Sequence, residues 1–124
     1  MSKQEKITIN LSVVDLGKID LLVEQGFYSN RTDFIKTAIR SQLGTHSKEI
    51  DQVVTEKSYK IGIVNYNRKS LENLVNKNKM LDVKVIGMLV LDKDVDLELA
   101  KKVFSSLRVN GVFKANREVK EYFS

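Results

Sequence analysis

The chain has 124 residues, and its 42% hydrophobic and 30% charged content is typical of a folded protein rather than a disordered one. It has no cysteine and a single histidine, His46, which excludes disulfides, zinc–cysteine sites, iron–sulfur clusters and thiol catalysis and disfavours a histidine-rich metal site. A net charge of +5, from 21 basic and 16 acidic residues, permits binding to a polyanion without requiring it.

The first predicted element is a β-strand from Lys6 to Ser12. Apolar and polar residues alternate over this run, which is the period of a strand with two different faces. One face carries Ile7, Ile9 and Leu11, and the other carries Lys6, Thr8 and Asn10.

Two helices are predicted next, because the apolar spacing changes from two residues to three and four. Each begins after a polar residue that can cap the free N–H groups, with an acid three residues later. Each stops at a glycine. The caps are Ser12 and Asn30, the acids are Asp15 and Asp33, and the stops are Gly26 and Gly44.

One strand and two helices in about forty residues cannot fold alone, because the strand is unpaired and too little apolar surface is buried. A homodimer solves both problems if two copies of the strand pair as an antiparallel ribbon over four helices. The predicted dimer core consists of Ile7, Ile9, Leu11, Phe34, Ile35, Ala38 and Ile39.

Residues 5–44 resemble the ribbon-helix-helix repressors, the family of the Arc and methionine repressors and of CopG-type plasmid copy-number regulators. The resemblance is carried by the segments KITINLS, SVVDLGKIDLLVEQG and FYSNRTDFIKTAIRSQL. It implies a dimeric β-α-α fold whose two-stranded ribbon enters the major groove of double-stranded DNA.

The resemblance also implies roles for individual residues. On the polar face of the ribbon, Lys6 is suited to guanine and Asn10 to adenine, and Thr8 is suited to a hydrogen bond or to a thymine methyl group. The start of the second helix offers free N–H groups to a DNA phosphate. The net charge of residues 1–44 is only +1, so affinity for DNA in general should be modest. The expected phosphate-binding residues are Lys3, Asn30, Arg31 and Thr32.

Residues 45–57 are predicted to be a linker or a short helix, and residues 58–124 a small α/β domain. In this domain Val83–Leu89 aligns with Leu107–Phe113 at an offset of 24 residues, and a poorer copy surrounds Gly62. Each copy has a strand with a central glycine that would allow neighbouring backbones to approach closely. Val83–Leu91 is apolar enough to be a central strand buried on both faces. The helix-like segments are Ser70–Lys77, Val95–Leu107 and Arg117–Phe123.

Two architectures remain open for residues 58–124: short stacked strand–helix repeats, or a small domain in which the repeat is coincidental. The fold class expected for the whole chain is α+β. The basic run from Lys57 to Lys79 could add DNA contacts. The acids between Asp92 and Glu98 suit a helix start better than a calcium loop, which needs a glycine that they lack.

The function expected is that of a cytoplasmic, homodimeric, sequence-specific DNA-binding repressor without a cofactor or a membrane partner. The longest apolar stretch, Val85–Leu91, is too short to cross a bilayer, and the start of the chain has no signal-peptide core. An enzyme is not expected, because the glycines of residues 58–124 are isolated rather than gathered in a phosphate loop, and no nucleophile–base pair has plausible spacing.

Two alternatives remain. The first is an antitoxin or plasmid-maintenance protein that binds DNA, whose C-terminal half would wrap a protein partner. The second is a structural protein that assembles through its C-terminal repeats. An effector or protein partner of residues 58–124 is also conceivable. Nickel sensing is disfavoured, because that branch of the family uses several histidines and a cysteine.

Overall fold

The structure is a computed structural model that describes residues 4–124. The fold is α+β, with six helices and one three-stranded sheet in this part of the chain. The chain divides into two structural units, residues 1–51 and 52–124.

The first unit contains two helices, α1 (Val13–Glu24) and α2 (Arg31–Thr45). Both predicted caps are confirmed: Ser12 Oγ accepts a hydrogen bond from the Asp15 N–H (3.1 Å), and Asn30 Oδ1 accepts one from the Asp33 N–H (2.7 Å). The turn between the helices has Gly26 in the left-handed region, with a φ of 86°. The predicted stop at Gly44 is wrong by one residue, since α2 ends at Thr45.

Residues 4–12, which precede α1, form neither a helix nor a strand in the single chain. A strand is defined by its hydrogen bonds to a second strand, and the expected partner is another copy of the chain. The strand predicted from Lys6 to Ser12 therefore stays a prediction.

A third helix, α3 (Ser47–Lys57), contains the division between the two units. It occupies most of the segment interpreted as a linker or a short helix.

The second unit consists of three strand–helix pairs. The three strands are parallel and lie in chain order, so β2 is the central strand, as predicted. The elements are β1 (Lys60–Tyr66), α4 (Arg68–Asn76), β2 (Leu81–Leu91), α5 (Leu97–Val103), β3 (Phe104–Lys114) and α6 (Arg117–Tyr122).

The helix predicted over Val95–Leu107 is too long. The structure ends α5 at Val103, and β3 begins at the next residue. Leu107 pairs with Val83 in the parallel ladder. The apolar residues near the end of this segment therefore belong to a strand, which helical spacing alone could not distinguish from a longer helix.

Three glycines lie side by side across the sheet: Gly62 pairs with Gly87, and Gly87 pairs with Gly111. All three have a positive φ, between 124° and 136°, which side chains rarely permit. A Cβ on Gly87 would lie 2.2 Å from the Gly62 carbonyl oxygen, and one on Gly111 would lie 2.0 Å from the Gly87 oxygen. The predicted close approach of neighbouring backbones is therefore confirmed at these two positions.

The core of the second unit lies between the sheet and the helices. The largest fully buried side chains come from every layer, and several are completely inaccessible to solvent. Asn67 and Asp96 cap α4 and α5, which fixes where these helices begin against the sheet. The fully buried side chains are Leu71, Val85, Leu89, Val95, Val103 and Val119.

Candidate nucleic-acid interface

The three residues predicted to contact DNA bases, Lys6, Thr8 and Asn10, are all exposed. They lie in the segment that leads directly into the capped start of α1. Their apolar neighbours are exposed too, with Ile7 73% and Ile9 56% accessible to solvent. Lys3, expected to contact phosphate, lies outside the described residues.

The start of α2 has a double cap. Asn30 Oδ1 takes the Asp33 N–H, and the Asp33 carboxylate in turn accepts a hydrogen bond from the Ser29 N–H (2.9 Å). The Asp33 charge thus lies near the helix end that is expected to receive a phosphate. The N–H groups of Arg31 and Thr32 lie in the first helical turn and have no intrahelical acceptor. They are the donors that this helix start can offer to an anion.

Arg31 is held by Asp20 of α1. Its Nε and Nη2 atoms donate to the two carboxylate oxygens of Asp20, each at 2.8 Å, in a bidentate ion pair. These hydrogen bonds lower the pKa of the Asp20 carboxyl and raise the pKa of the Arg31 guanidinium. In this arrangement the Arg31 charge is largely compensated by its partner.

Sequence reasoning missed Asp20. The residue stands eleven positions before Arg31 on a different helix, so no local spacing rule links the two. The pair becomes visible only when the packing of α1 against α2 is known.

The apolar residues of the first unit are poorly buried in one chain. Ile19 is the buried hydrophobic residue of α1, and the described part of α2 contains none. Of the residues predicted to form the dimer core, Phe34 and Ile35 are half-buried. The exposed members of the predicted core are Ile7, Ile9, Leu11, Ala38 and Ile39.

The acidic run of the second unit is engaged with protein donors. Asp92 accepts from the Asn65 side chain (2.9 Å), Asp94 from the Arg68 backbone N–H (3.1 Å), and Asp96 caps α5 through the Leu99 N–H (2.9 Å). These carboxylates therefore connect the first strand–helix pair to the second. Within residues 4–124, no three histidine, cysteine or acidic side chains are grouped so that they could hold a metal ion.

The basic run from Lys57 to Lys79 is only partly free. Arg68 donates to the Asp94 carbonyl (3.0 Å) and to the Asp96 carboxylate (3.3 Å), and it also pairs with Glu72 (3.3 Å). This arginine therefore has a structural role, and the exposed lysines of the run are the charges open to a polyanion.

None of the helices in the described part of the chain is both long and apolar enough to span a bilayer.

Comparison with known families decides the assignment. The model of the ribbon-helix-helix transcriptional regulator family matches residues 2–120. The chain belongs to this family. The match extends well beyond the segment that carries the resemblance and covers most of the second unit. No match was found among curated proteins or among solved structures.

Membership of this family makes the chain a DNA-binding transcriptional regulator. Regulators of this family typically dimerise and are generally not enzymes.

Proposed function

We propose that this protein is a homodimeric transcriptional repressor that reads a specific DNA sequence through a β-ribbon in the major groove. The observation that carries the proposal is the exposed alternating segment from Lys6 to Ser12, which leads directly into a capped helix pair. The apolar residues of that pair remain largely unburied in one chain. A second copy would pair with the segment and cover the apolar face.

In this arrangement the polar face of the ribbon points toward the base edges. Lys6 is suited to donate to guanine O6 and N7, and Asn10 to form a paired contact with adenine N6 and N7. Thr8 is suited to a thymine methyl group or to a hydrogen bond. Because the dimer is symmetric, each residue acts twice, and the preferred DNA site should be a palindrome or a tandem repeat.

The start of α2 is proposed to hold a phosphate beside the ribbon. The first-turn N–H groups of Arg31 and Thr32 would donate to it, while Asn30 keeps its capping bond. The Arg31 side chain contributes fully only if it exchanges Asp20 for the phosphate. Lys3 precedes the ribbon and is proposed as a further phosphate contact.

A folded second unit favours a regulator over an antitoxin. Antitoxin tails are usually disordered without their toxin, whereas residues 52–124 have a core that includes the fully buried Leu71, Leu89 and Val119. In the regulator, this unit is available for contacts between copies or with an effector.

The test is selection from a random duplex library at physiological salt, using the wild-type protein and the Thr8→Ala/Asn10→Ala double variant. We expect the wild type to enrich a short palindromic or tandem motif and the variant to lose that preference. Each lost base contact should cost roughly 1–3 kcal/mol of binding free energy.

The matched control is Lys18→Ala, which changes an exposed residue of α1 outside the proposed ribbon and should keep the motif. Analytical ultracentrifugation shows whether the double variant is still dimeric. If the dimeric double variant enriches the wild-type motif equally well, the ribbon does not read bases.

A further inference from the structure

Two glycines in the sheet lie directly against the backbone of the strand that precedes each of them. Gly87 has a φ of 134°, and its Cα faces the Gly62 carbonyl so closely that a Cβ would overlap the oxygen. Gly111 stands in the same relation to the Gly87 carbonyl. Any L side chain at either position would meet both backbone strain and overlap.

Gly62 has the same conformation without the same neighbour. Its φ is 136°, yet no atom lies within 4 Å of the position where a Cβ would be. It lies on β1, at one edge of the sheet. The position therefore has room for the carbonyl oxygen of a further strand, which residues 4–124 of the single chain do not place there.

The opposite edge presents such a carbonyl. Gly111 is on β3, where no further strand follows in the described chain. Because Gly111 shares the register of Gly62 and Gly87 and has a similar φ, we expect its carbonyl to face the open edge as their carbonyls face the next strand. The free edge of β3 and the free edge of β1 could therefore pair in the same way as β1 pairs with β2 and β2 with β3.

We propose that a second copy of this chain fills the β1 edge: β3 of one copy pairs in parallel with β1 of the next, with Gly111 opposite Gly62. The contact is head-to-tail, so a pair of copies still has one free β1 edge and one free β3 edge, and assembly can continue. It does not depend on the proposed base reading, because it uses only the second unit.

Exposure along the β1 edge agrees with this register. Ile63 is 47% accessible, whereas Met88, its partner on the central strand, is 5% accessible with a strand on either side. In the proposed contact Ile63 would lie opposite Val112, and Ile61, another exposed residue of β1, would lie opposite Asn110. In the proposed contact β1 would have a neighbouring strand on each side, as β2 already has.

Basic residues on the two edges should make the association between copies depend on salt concentration. Lys60 lies on the β1 edge, and Arg108 and Lys114 lie on β3. In the proposed register Lys60 faces Val109 and Lys114 faces Asn65, so these basic residues do not oppose one another directly. The edges still share a positive sign, and salt screens their repulsion. Association between copies should therefore strengthen as salt rises, whereas DNA binding weakens.

The first experiment is sedimentation velocity of the full chain without DNA, over a concentration series at two salt concentrations. We expect species that grow with concentration and with salt. Ile63→Glu should weaken this growth by about tenfold or more, because it places a charge in the buried contact. Met80→Glu changes a similarly exposed apolar residue away from both sheet edges and should leave the growth unchanged.

The second experiment tests the register. Ile61→Glu and Asn110→Lys each alter one edge, and in the proposed contact their new charges would lie directly opposite. A mixture of the two variants should therefore associate more strongly than either variant alone. Circular dichroism checks that all variants remain folded.

Three outcomes would overturn the proposal. The first is a single species at every concentration and salt, and the second is equal loss of association in Met80→Glu and Ile63→Glu. The third is a mixture of Ile61→Glu and Asn110→Lys that associates no better than its components. That last result would indicate pairing between identical edges or in another register. Because DNA is absent, failure here leaves the proposed repressor function untouched.

Discussion

Arg31, a proposed phosphate contact, is held in an ion pair within the first unit. Its guanidinium, at the start of α2, is held by both oxygens of Asp20 of α1, and both side chains are exposed. An exposed pair of this kind contributes little to folding. If a phosphate binds at the start of α2 as proposed, the pair withholds a positive charge from it, and Asp20 should then lower the affinity for DNA of any sequence.

Asp20→Asn should raise affinity for all duplexes, roughly two- to tenfold at low salt, because it removes the charge that compensates Arg31. The dependence of log K on log salt should steepen by about 0.9, one additional phosphate contact. Fluorescence anisotropy with specific and random duplexes measures both. The control Glu24→Gln removes one acid elsewhere on α1 and should have a smaller effect. A change confined to one sequence would contradict this account.

Asp96 should make the folding stability of the second unit depend on pH. The Leu99 backbone N–H and the Arg68 side chain hold the pKa of its carboxyl below the usual range. A carboxyl with a lowered pKa stabilises the folded state above its usual pKa, and this stabilisation disappears as pH falls through the lowered value.

Asp96→Asn keeps a side chain that can cap α5 but removes the charge. The variant should be less stable than the wild type at neutral pH, and the two should converge as the solution becomes acidic. Urea unfolding across a pH series measures the convergence. The nearby substitution Glu98→Gln serves as a control for the loss of one carboxylate. A stability difference that stayed constant down to the lowest pH would show that the charge of Asp96 is not responsible.

At the scale of elements, the glycine row determines how the strands of the second unit pack. Gly87→Ala should unfold this unit or destabilise it by about 3 kcal/mol or more. Backbone strain of roughly 1–3 kcal/mol adds to an overlap with the Gly62 carbonyl that only a shift of β1 can relieve. Gly62→Ala brings the strain without the overlap, so it should cost less. Thermal unfolding of both variants tests the order, and equal losses would contradict it.

The helix starts were predictable because their determinants are local. Ser12 and Asn30 each accept a hydrogen bond from an N–H three residues later, and that relation can be read along the chain. The end of α5 was not predictable, because Val103 at the end of the helix and Phe104 at the start of β3 are both buried and apolar. Only the pairing of β3 with β2 shows where the strand begins. The strand predicted over Lys6–Ser12 would need a partner chain, so one chain alone does not test it.

For the candidate site, the alternation predicts that Thr8 faces away from Ile7 and Ile9. In one chain all three residues are exposed, so this stays a prediction. The sequence could not indicate that Arg31 is paired, because the contact with Asp20 depends on the angle between two helices. The contacts of Arg68 with the second strand–helix pair could not be predicted either, because Asp94 and Asp96 lie 26 and 28 residues away in the chain.

At the scale of the whole molecule, the two units should differ in how their stability depends on concentration. The first unit exposes apolar residues such as Ile7 and Ile39 and buries little within one chain, whereas the second has a complete core. If the first unit folds as a dimer, dilution should lower its melting temperature, since association stabilises only the folded state.

We therefore expect two thermal transitions by circular dichroism: one that moves with protein concentration and one that moves much less. Ile9→Lys should lower the first and leave the second in place, because it puts a charge into the proposed dimer core. The exposed substitution Gln25→Lys adds the same charge outside that core and should change neither. Two transitions that were both independent of concentration would argue against a dimeric first unit.

The in-register glycines also make the length of the second unit adjustable. A copy of residues 88–111 inserted after Gly111 would repeat one full period and add a strand–helix pair whose glycine falls into the existing row. Each addition would widen the sheet by about 4.8 Å, the distance between neighbouring strands. The unit could thus serve as a spacer whose width is set by the number of strand–helix pairs. Each added pair would end in an edge strand on which the next pair could be added.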